Sequence, residues 1–571
     1  MLPLLAPHRI LIRLSLGALA ALASARPLPA LALWSSNPAT GTPVCTADGD
    51  QWPLAAVTDG AGGVIVAWID GRGGITANGL DAQRIDSFGR PSWAANGVAV
   101  VAGSKLAQSL GAAPDGAGGL LLAWSESRGG ARPAVYAQRL DPTGVAKWGA
   151  GGVPVCASAN AQSAPALIGD GSGGAIVAWM DAGGDSEIVV RRLDPSGAPQ
   201  WAAAGVPLSA AGVCDQRPRI TSDGSGGAIV AWVSGSGLAA RRIDTAGTLL
   251  WPVSYQRSGV LLTDLQADGL GGALIAWTRA YTVGATPQQD AVVQCLGPDG
   301  AEAWTPGGLK LDTSGNVFKV QLAADGAGGV FAAWEHAGAG ASLVRAQHVG
   351  SGGIAAWAGG GVVLCPGGAG QFSPHLVSDG AGGTIAVFED YRSAARYDVY
   401  AQRLDASGVL AWGAGGAPVC TAAGAGVGEA WVVPGPNSAA IAVWDDFRGL
   451  PYESDLFATR LLGTGGMGPT AVPEPGRATG ALALGTPYPQ PARGRVTFRY
   501  RAANGGAGRL ELFDLSGRRV RELEATLASG AEGTLTLALV DDAGAALPAG
   551  GYTARLSASG DVARVPVVIL R

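Results

Sequence analysis

The ten-residue segment DGSGGAIVAW occurs twice without change, at Asp170–Trp179 and at Asp223–Trp232. It belongs to a series in which a D-G-x-G-G motif recurs every 45 to 57 residues. Self-similarity at a fixed period is the signature of repeat architectures, so this series constrains the fold more than any other feature. The motif opens at Asp59, Asp115, Asp170, Asp223, Asp268, Asp325 and Asp379, and a degraded eighth copy begins at Pro434.

Each unit carries two further signals. An apolar run after the motif ends in an aromatic residue, as in Ala175–Trp179, and a D-x-x-G-x-x-x-W motif comes next, as in Asp194–Trp201. Glycine permits the positive φ of tight turns and aspartate accepts hydrogen bonds from turn amides, so both motifs are predicted to be hairpin turns. The sequence therefore predicts four strands per unit, which in the seventh unit are Pro374–Ser378, Thr384–Phe388, Val399–Leu404 and Ala417–Cys420.

The apolar runs do not alternate with polar residues, which is typical of strands buried on both faces. Four-stranded units covered on both faces by like neighbours predict an all-β fold, the β-propeller, with a linear solenoid or a string of small domains as alternatives. The last unit stops after its third strand, Leu456–Leu462, and Trp34 with Pro43–Cys45 supplies the missing tryptophan and fourth strand. This closure predicts eight blades, with seven as the alternative because the fourth unit is short.

The composition changes at both ends of the repeat region. Residues 1–32 combine arginines, an apolar run and small residues, as in a secretory signal peptide cleaved after Ala25 or Ala32. The propeller is expected to span 33–463 and a Gly/Pro-rich linker 464–482. Residues 483–571 are predicted to form a small antiparallel sandwich from strands at Arg495–Tyr500, Arg509–Leu515, Thr534–Leu539, Tyr552–Leu556 and Val565–Leu570.

Composition and motif spacing argue against several classes of function. A formal net charge of −5 is the opposite of the basic footprint that nucleic-acid binding needs. Each D-G-x-G-G turn offers one carboxylate, too few for calcium, and the sequence lacks a phosphate-binding loop and a G-x-S-x-G element. The spacing of His336, His348 and His375 fits no compact zinc pattern. We therefore expect no cofactor, no metal and no catalytic residue, and a monomer without a membrane span once the signal is removed.

Six cysteines in a secreted chain raise the question of disulfides. Cys45, Cys156, Cys365 and Cys420 occupy the same place in their units, after the turn tryptophan. Equivalent points on different blades lie farther apart than a disulfide allows, so these four are predicted to be small buried residues with free thiols. Cys214 and Cys295 stand in other contexts and carry no prediction.

The loops between the second and third strands lie opposite the Gly-rich turns, where binding residues usually reside. Four loops share the pattern aromatic, any residue, acid, any residue, arginine, in units that become adjacent once the ring closes. Their side chains suit a polar ligand such as a glycan; alternatively, each acid–arginine pair only orders its own loop. The candidate ligand-binding residues are Asp70, Arg72, Glu126, Arg128, Asp390, Tyr391, Arg392, Asp446, Phe447 and Arg448.

The C-terminal segment carries the sequences PQPA at Pro489–Ala492, FDLSGR at Phe513–Arg518, Gly551–Tyr552 with Arg555–Leu556, and a basic last residue. It resembles the FlgD-type Ig-like domain and the type A sorting domain of type IX secretion cargo, although Gln490 stands where the family usually has Asn. Leu539–Asp542 replaces the usual Trp-Asp-Gly. The resemblance implies an Ig-like sandwich that addresses or anchors the chain through the secretion machinery. The repeats resemble those of uncharacterised secreted bacterial proteins, which implies no activity.

These features predict a secreted or cell-surface, non-catalytic binding or adhesion protein whose ligand is a glycan or a protein. The alternative is an extracellular carbohydrate-active enzyme, a glycosidase or lyase, with its site at the propeller axis. A polar residue that breaks the repeat in only one blade, near a second carboxylate, would favour the enzyme. Acid–arginine pairs shared by several blades favour binding or loop order instead.

Overall fold

The computed structural model describes residues 34–467 and 482–569, apart from short internal gaps. The predicted signal peptide, 1–32, and most of the predicted linker, 464–482, lie outside the described residues. Among those described, no helix is long and apolar enough to span a bilayer. The gaps are 73–77, 102–105, 129–131, 184–185, 210–213, 236, 252–254, 285, 313, 339, 368–369, 423–425, 449–452, 485–487, 503–505, 515–517, 528–531, 542–544, 549 and 559–560.

Eight antiparallel sheets of four strands, blades 1 to 8, make up the repeat region. Strands are numbered first to fourth across each blade. In blades 1 to 4 they are Gln51–Thr58, Val64–Asp70, Gly79–Ile85 and Val98–Val101; Leu106–Pro114, Leu120–Glu126, Ala134–Leu140 and Val153–Pro154; Ala161–Gly169, Ala175–Ala182, Ser186–Leu193 and Val206–Pro207; Asp215–Ser222, Ala228–Ser234, Gly237–Ile243 and Tyr255–Ser258.

The strands of blades 5 to 8 follow the same order, except that the fourth strand of blade 8 comes from the start of the chain. They are Leu261–Ala267, Ala273–Val283, Thr286–Leu296 and Leu309–Asp312; Val317–Ala324, Val330–Ala337, Ser342–Val349 and Val362–Val363; Gln371–Ser378, Thr384–Asp390, Asp398–Leu404 and Ala417–Cys420; Val427–Pro434, Ala440–Asp446, Asp455–Leu461 and Thr42–Cys45. All four strands predicted in the seventh unit are present.

The first strands surround a common axis. Each contacts the first strands of the two neighbouring blades, and that of blade 8 contacts that of blade 1. The fold is therefore an eight-bladed β-propeller, and the seven-bladed alternative is wrong. Both Gly-rich turns of each blade lie at one end of the ring, the turn end, and the loops between second and third strands lie at the other, the loop end.

The hydrophobic cores lie between blades. In the second strand of blade 3, Ala175, Val177 and Trp179 pack against blade 2, whereas Ile176 and Ala178 pack against blade 4. All five side chains are completely buried. Because successive side chains of a strand point to opposite faces, burial on both sides requires an unbroken apolar run.

The ring closes as the sequence predicts. Thr42 pairs with Ala458 and Pro43 with Phe457, so the N-terminal strand completes blade 8. Trp34 is 3% exposed, and its indole N–H donates to the carbonyl of Ser87 in blade 1 at 3.0 Å. The third strand of blade 8 is thereby paired on both sides and does not present an open edge.

The aspartate of each D-G-x-G-G turn binds both its turn and the third strand. In blade 2, Asp115 Oδ1 accepts the backbone N–H groups of Ala117 at 2.8 Å and Gly119 at 2.7 Å. Asp115 Oδ2 accepts the Nε–H of Arg139 at 3.0 Å. A Cβ at Gly119 would lie 2.2 Å from the carbonyl oxygen of Leu140, so only glycine fits there. The same aspartate–arginine pair recurs in blades 1, 3, 4 and 7.

The turn tryptophans join neighbouring blades. The indole N–H of Trp148 in blade 2 donates to the carbonyl of Pro195 in blade 3 at 3.0 Å. A Cβ at Gly197, in that same turn of blade 3, would lie 2.6 Å from the Trp148 ring. Equivalent indole–carbonyl bonds join all other neighbouring blades, and Trp34 makes the one between blades 8 and 1. The D-x-x-G-x-x-x-W motif therefore encodes a contact between blades as well as a turn.

The first turn of blade 8 departs from the repeat by one residue. Gly435, rather than Pro434, takes the place of the aspartate, because its N–H donates to the carbonyl of Ala439 as the motif aspartates do in blades 1 to 7. Asn437 and Ser438 have φ of 57° and 55°, as in a two-residue type I′ hairpin turn. Such a turn closes without a capping aspartate.

Residues 482–569 form two joined sheets around one core. Val496 and Phe498 from one sheet and Leu510 and Leu556 from the other are completely buried. Each of the five strands predicted here overlaps an observed one. The remaining strands, Leu482–Leu484, Tyr488–Arg493 and the charged Arg519–Leu527, were not predicted. The observed ranges are Leu482–Leu484, Tyr488–Arg493, Arg495–Ala502, Gly506–Phe513, Arg519–Leu527, Glu532–Ala538, Gly550–Ala558 and Asp561–Ile569.

Candidate functional site

The four predicted acid–arginine loops lie side by side at the loop end. Their acids, Asp390, Asp446, Asp70 and Glu126, are the last residues of the second strands of blades 7, 8, 1 and 2. Each is 4% exposed or less. The blades are contiguous in the closed ring, so the structure brings these loops into one arc.

Each arginine bonds the acid of its own loop. In blade 7, Arg392 donates to Asp390 through Nη2 at 2.7 Å and Nε at 2.9 Å, and through Nη1 to the carbonyl of Gly415 at 2.9 Å. Its guanidinium lies 3.6 Å from the centre of the Tyr400 ring. Charge, hydrogen-bond donors and the flat face of this arginine are all engaged by blade 7 itself.

Two of the other three arginines follow the same plan. Arg128 bonds Glu126 at 3.0 Å and stacks on Tyr136, and Arg448 bonds Asp446 and stacks on Phe457. Arg448 also donates to the carbonyls of Ala39 and Thr40 at 2.8 and 2.7 Å, so it ties blade 8 to the N-terminal segment. Arg72 bridges Asp70 and Asp81. These contacts are the ones that loop order requires.

The two aromatic candidates have different surroundings. The Phe447 N–H donates to the carbonyl of Gly426 at 3.2 Å, which orders the loop of blade 8. The Tyr391 ring centre lies 5.0 Å from that of Tyr397, which in turn lies 5.9 Å from that of Phe372 on the first strand of blade 7. Tyr391 thus connects the loop to residues nearer the axis.

A second polar set at the loop end was missed by the sequence analysis. The residue directly after the second-strand aromatic is Ile69, Ser125, Met180, Val233 and Thr278 in blades 1 to 5, but Glu335, Glu389 and Asp445 in blades 6 to 8. This position of the repeat is therefore acidic in three adjacent blades and uncharged in the other five. Aligning the units position by position would have found it, whereas searching for patterns shared between units could not.

These carboxylates contact the innermost strands. Glu335 Oε1 accepts the backbone N–H of Ser373 at 2.7 Å and lies 3.4 Å from Lys319 Nζ, which donates to Ser373 Oγ at 2.8 Å. Asp445 Oδ1 accepts the N–H of Glu429 at 2.6 Å. Lys319 and Ser373 have φ of 46° and 49° at bulges in the first strands of blades 6 and 7. Bulges of this kind re-aim side chains and N–H groups.

Aromatic residues face two of the acids across the ladder. Phe318 pairs with Glu335 in blade 6, and Phe372 pairs with Glu389 in blade 7. Directly opposed residues of an antiparallel pair project from the same face. Phe318 is 44% exposed although it is a large apolar residue on the innermost strand. We call Phe318, Phe372, Glu335, Glu389, Asp445 and the adjoining Lys319 and Ser373 the axial site.

Two of the axial carboxyls, Asp445 and Glu389, have raised pKa values. Burial, together with the negative charges of Glu429 and Glu389, raises the pKa of Asp445 to about 7. Burial and the charges of Glu429 and Glu335 raise the pKa of Glu389, against the hydrogen bond from Ser373 and the charge of Lys319. Asp445 is therefore partly protonated at neutral pH.

Further polar residues line the axis nearby. The His375 ring centre lies 5.9 Å from that of Trp431 on the next first strand. Burial and the positive charges of Lys319 and Arg219 lower the pKa of His375 to about 4, so this imidazole is neutral at pH 7. Arg219 belongs to blade 4, so its influence on blade 7 reaches across the ring.

All six cysteines are free thiols, and Cys45, Cys156, Cys365 and Cys420 are buried as predicted. Among the histidines, His336 bonds Asp312 and His348 bonds Asp325, each at 2.9 Å. In the part of the chain that the structure describes, no group of three or more His, Cys, Asp or Glu side chains is placed to hold a metal ion.

Several solved structures are similar to this chain at low sequence identity. A Hadza microbial sialidase, Hz136, is 12% identical with a TM-score of 0.30 over 57% of this chain and 73% of its own. An α-L-arabinanase from Penicillium chrysogenum, solved with arabinobiose, is 12% identical with a TM-score of 0.30 over 53% and 94%. A protein of unknown function from Dyadobacter fermentans DSM 18053 is 11% identical with a TM-score of 0.32 over 54% and 94%. No protein-family model and no curated protein matches the sequence. No functional conclusion follows from likenesses at this level.

Proposed function

We propose that the protein is a secreted or surface-attached, non-catalytic binding propeller that holds a glycan at the axial site. The observation that carries the proposal is the placement of two aromatic–carboxylate pairs, Phe318 with Glu335 and Phe372 with Glu389, where three adjacent blades depart from the repeat. Departures confined to neighbouring blades and gathered at the axis are what a ligand site requires.

The chemistry of the axial site suits sugars. Aromatic faces stack on the apolar faces of pyranose rings, and carboxylates and Lys319 exchange hydrogen bonds with hydroxyl groups. A polar ligand is usually fixed by a few convergent polar groups beside an apolar surface. The acid–arginine loops frame this site and keep it rigid, since their charged groups are engaged within their own blades.

Export is the second part of the proposal. The C-terminal sandwich serves as an address or anchor for the secretion machinery, as the resemblance of its PQPA and FDLSGR segments implies. Removing residues 483–571 should leave the propeller folded but retain it inside the cell envelope, measured by fractionation. Equal secretion of the shortened and full-length chains would contradict this part alone.

The binding proposal is tested by screening the full chain on a glycan array and measuring affinity for the best glycan. Phe372→Ala and Glu389→Gln should each weaken binding about tenfold, as loss of about 1.4 kcal/mol does. Phe88→Ala is the matched control, because Phe88 is 57% exposed at the turn end and should not affect affinity. The proposal is wrong if no glycan binds, or if all three variants weaken binding alike.

A second candidate, a glycosidase, is favoured by one observation. Asp445, with its pKa near 7, could act as a general acid while a neighbouring carboxylate stays ionised. Asp445 is only 5% exposed and accepts the Glu429 N–H, and both features indicate a structural role instead. Turnover of any chromogenic glycoside, abolished by Asp445→Asn, would establish the enzyme over the binding protein.

A further inference from the structure

The loop end contains a ring of buried acids, one for each blade. Each lies near the loop-end side of a second-strand aromatic residue, although the acids belong to different strands. Seven have partners in the chain: four have the arginines described above, Asp181 has Asn160 and Gln162, Asp290 has Arg279 and Lys310, and Asp312 has His336. The ring consists of Asp70, Glu126, Asp181, Asp215, Asp290, Asp312, Asp390 and Asp446.

Asp215 in blade 4 is the exception. It is completely buried, and neither carboxylate oxygen has a hydrogen-bond partner in the described part of the structure. The indole N–H of Trp232, in the same blade, is also buried without a partner there. Asp215 pairs with Ser234, two residues beyond Trp232, so both orphan groups belong to one face of the blade.

Comparison with other blades explains why the partners are lost. Asp215 takes the place of Gln371 in blade 7 and Gln162 in blade 3. The Gln371 amide N–H donates at 2.9 Å to the carbonyl of Cys365 on the preceding blade, and its Oε1 accepts the N–H of Val344 at 3.0 Å. A carboxylate in that position has no N–H to donate to the carbonyl of the preceding blade. Its oxygen atoms face that carbonyl oxygen, which is also an acceptor.

The donors that serve this position in blade 7 are absent or used elsewhere in blades 3 and 4, and the Trp232 N–H makes no hydrogen bond to Asp215. The blade 3 residue equivalent to Val344 is Ile188, whose N–H donates to Ser209 Oγ at 3.0 Å. The blade 4 loop is shortened to a tight turn, with Ser234 pairing with Gly237, so it has no arginine equivalent to Arg392. The sequence from Ala210 to Cys214, AAGVC, adds no basic side chain. Among the described residues, no basic side chain pairs with Asp215 and neither of its carboxylate oxygens accepts a hydrogen bond.

We propose that Asp215 binds a monovalent cation, an alkali-metal ion, at the boundary of blades 3 and 4. Burying an ionised carboxylate without a partner is strongly unfavourable, and one monovalent ion balances its single charge. The carboxylate, with the Ser209 carbonyl that stands where the Cys365 carbonyl does in blade 7, provides oxygen ligands of the kind that hard cations prefer. The site is independent of the axial site and contributes stability rather than recognition.

Thermal unfolding of the full chain in sodium, potassium or choline chloride at one ionic strength tests the proposal, since choline is too large for a closed site. The wild type should unfold about 2 °C or more higher in sodium or potassium than in choline. Asp215→Gln restores the residue of blades 3 and 7 and should remove that difference. Asp390→Asn is the control: it removes a ring acid whose partner, Arg392, is in the chain, so the sodium–choline difference should persist.

Equal unfolding temperatures of the wild type in all three salts, or a difference that Asp215→Gln retains, would overturn the proposal. Stabilisation by acid alone, without a difference between the salts, would equally overturn the proposal. If Asp215→Gln does not fold, crystals of the unchanged protein soaked in rubidium chloride decide the matter. An anomalous peak beside Asp215 supports the site, and its absence there rejects it.

Discussion

At the turn end, blades 1 to 7 repeat one set of contacts, in which an aspartate caps its turn through two backbone amides. At the loop end, equivalent positions hold different residues and make different bonds. In the first turns of blades 1 to 7 the aspartate's side-chain partner varies, and it is His348 in blade 6 and Cys295 in blade 5. The comparison teaches that repeated residues hold the ring together, while residues that depart from the repeat mark candidate sites.

Opening the ring should have the largest effect. A variant that begins at Thr46 lacks Trp34 and the strand Thr42–Cys45, so blade 8 loses its fourth strand and one indole link. We expect that unfolding is no longer cooperative and that the protein aggregates through the exposed edge. Calorimetry measures the cooperativity and light scattering measures the aggregation. A variant that begins at Trp34 is the control and should unfold as the full chain does; equal behaviour of the two would show that closure does not require the N-terminal strand.

Breaking one turn-end aspartate should have the next largest effect. Asp115→Ala removes the acceptor for two amides and the partner of Arg139, so we expect destabilisation by about 3–5 kcal/mol. Denaturant unfolding monitored by tryptophan fluorescence measures it. Asp141→Ala, at an exposed turn of the same blade, should lower the free energy of unfolding much less. Similar losses in both would contradict the importance we give to the buried aspartate.

A loop-end pair should matter for stability but not for recognition. Arg392→Met keeps the bulk of the side chain and leaves Asp390 with only Gln371 and the backbone N–H of residue 392, so we expect destabilisation by about 2–3 kcal/mol. Affinity for a glycan found on the array should change less than twofold at a temperature where both proteins are folded. A larger loss of affinity with unchanged stability would instead assign this arginine to the ligand.

The axial site should produce the smallest effect, visible as pH dependence. The folded pKa of Asp445 is raised to about 7, above the usual value near 4 in an unfolded chain, so the folded state binds more protons between these values. Stability relative to Asp445→Asn should therefore fall by about 2 kcal/mol between about pH 5 and 7 and level off at higher pH. Parallel pH profiles of the wild type and the variant would show that Asp445 does not carry this proton.

Much of the fold follows from local rules that apply to each repeat. Asp, Gly and Trp at constant spacing are needed because a turn aspartate must cap amides, a glycine must avoid a carbonyl, and an indole must reach the next blade. The strand Arg519–Leu527 was not predicted because its alternating Arg and Glu residues resemble an exposed surface rather than a core strand. In blade 8, a type I′ turn takes the place of the Asp-capped turn. The position equivalent to the aspartate is therefore Gly435, one residue after the predicted Pro434.

The sequence by itself determined that the chain repeats a four-stranded unit and that its N-terminal segment completes the last one, because turn chemistry and burial on both faces act over a few residues. Only the tertiary structure decided which polar residues stand together. Glu335, Glu389 and Asp445 meet bulged first strands, and Asp215 faces the preceding blade without a donor. Those relations depend on how neighbouring sheets stack around the axis, because residues about fifty positions apart become neighbours only when adjacent blades pack together.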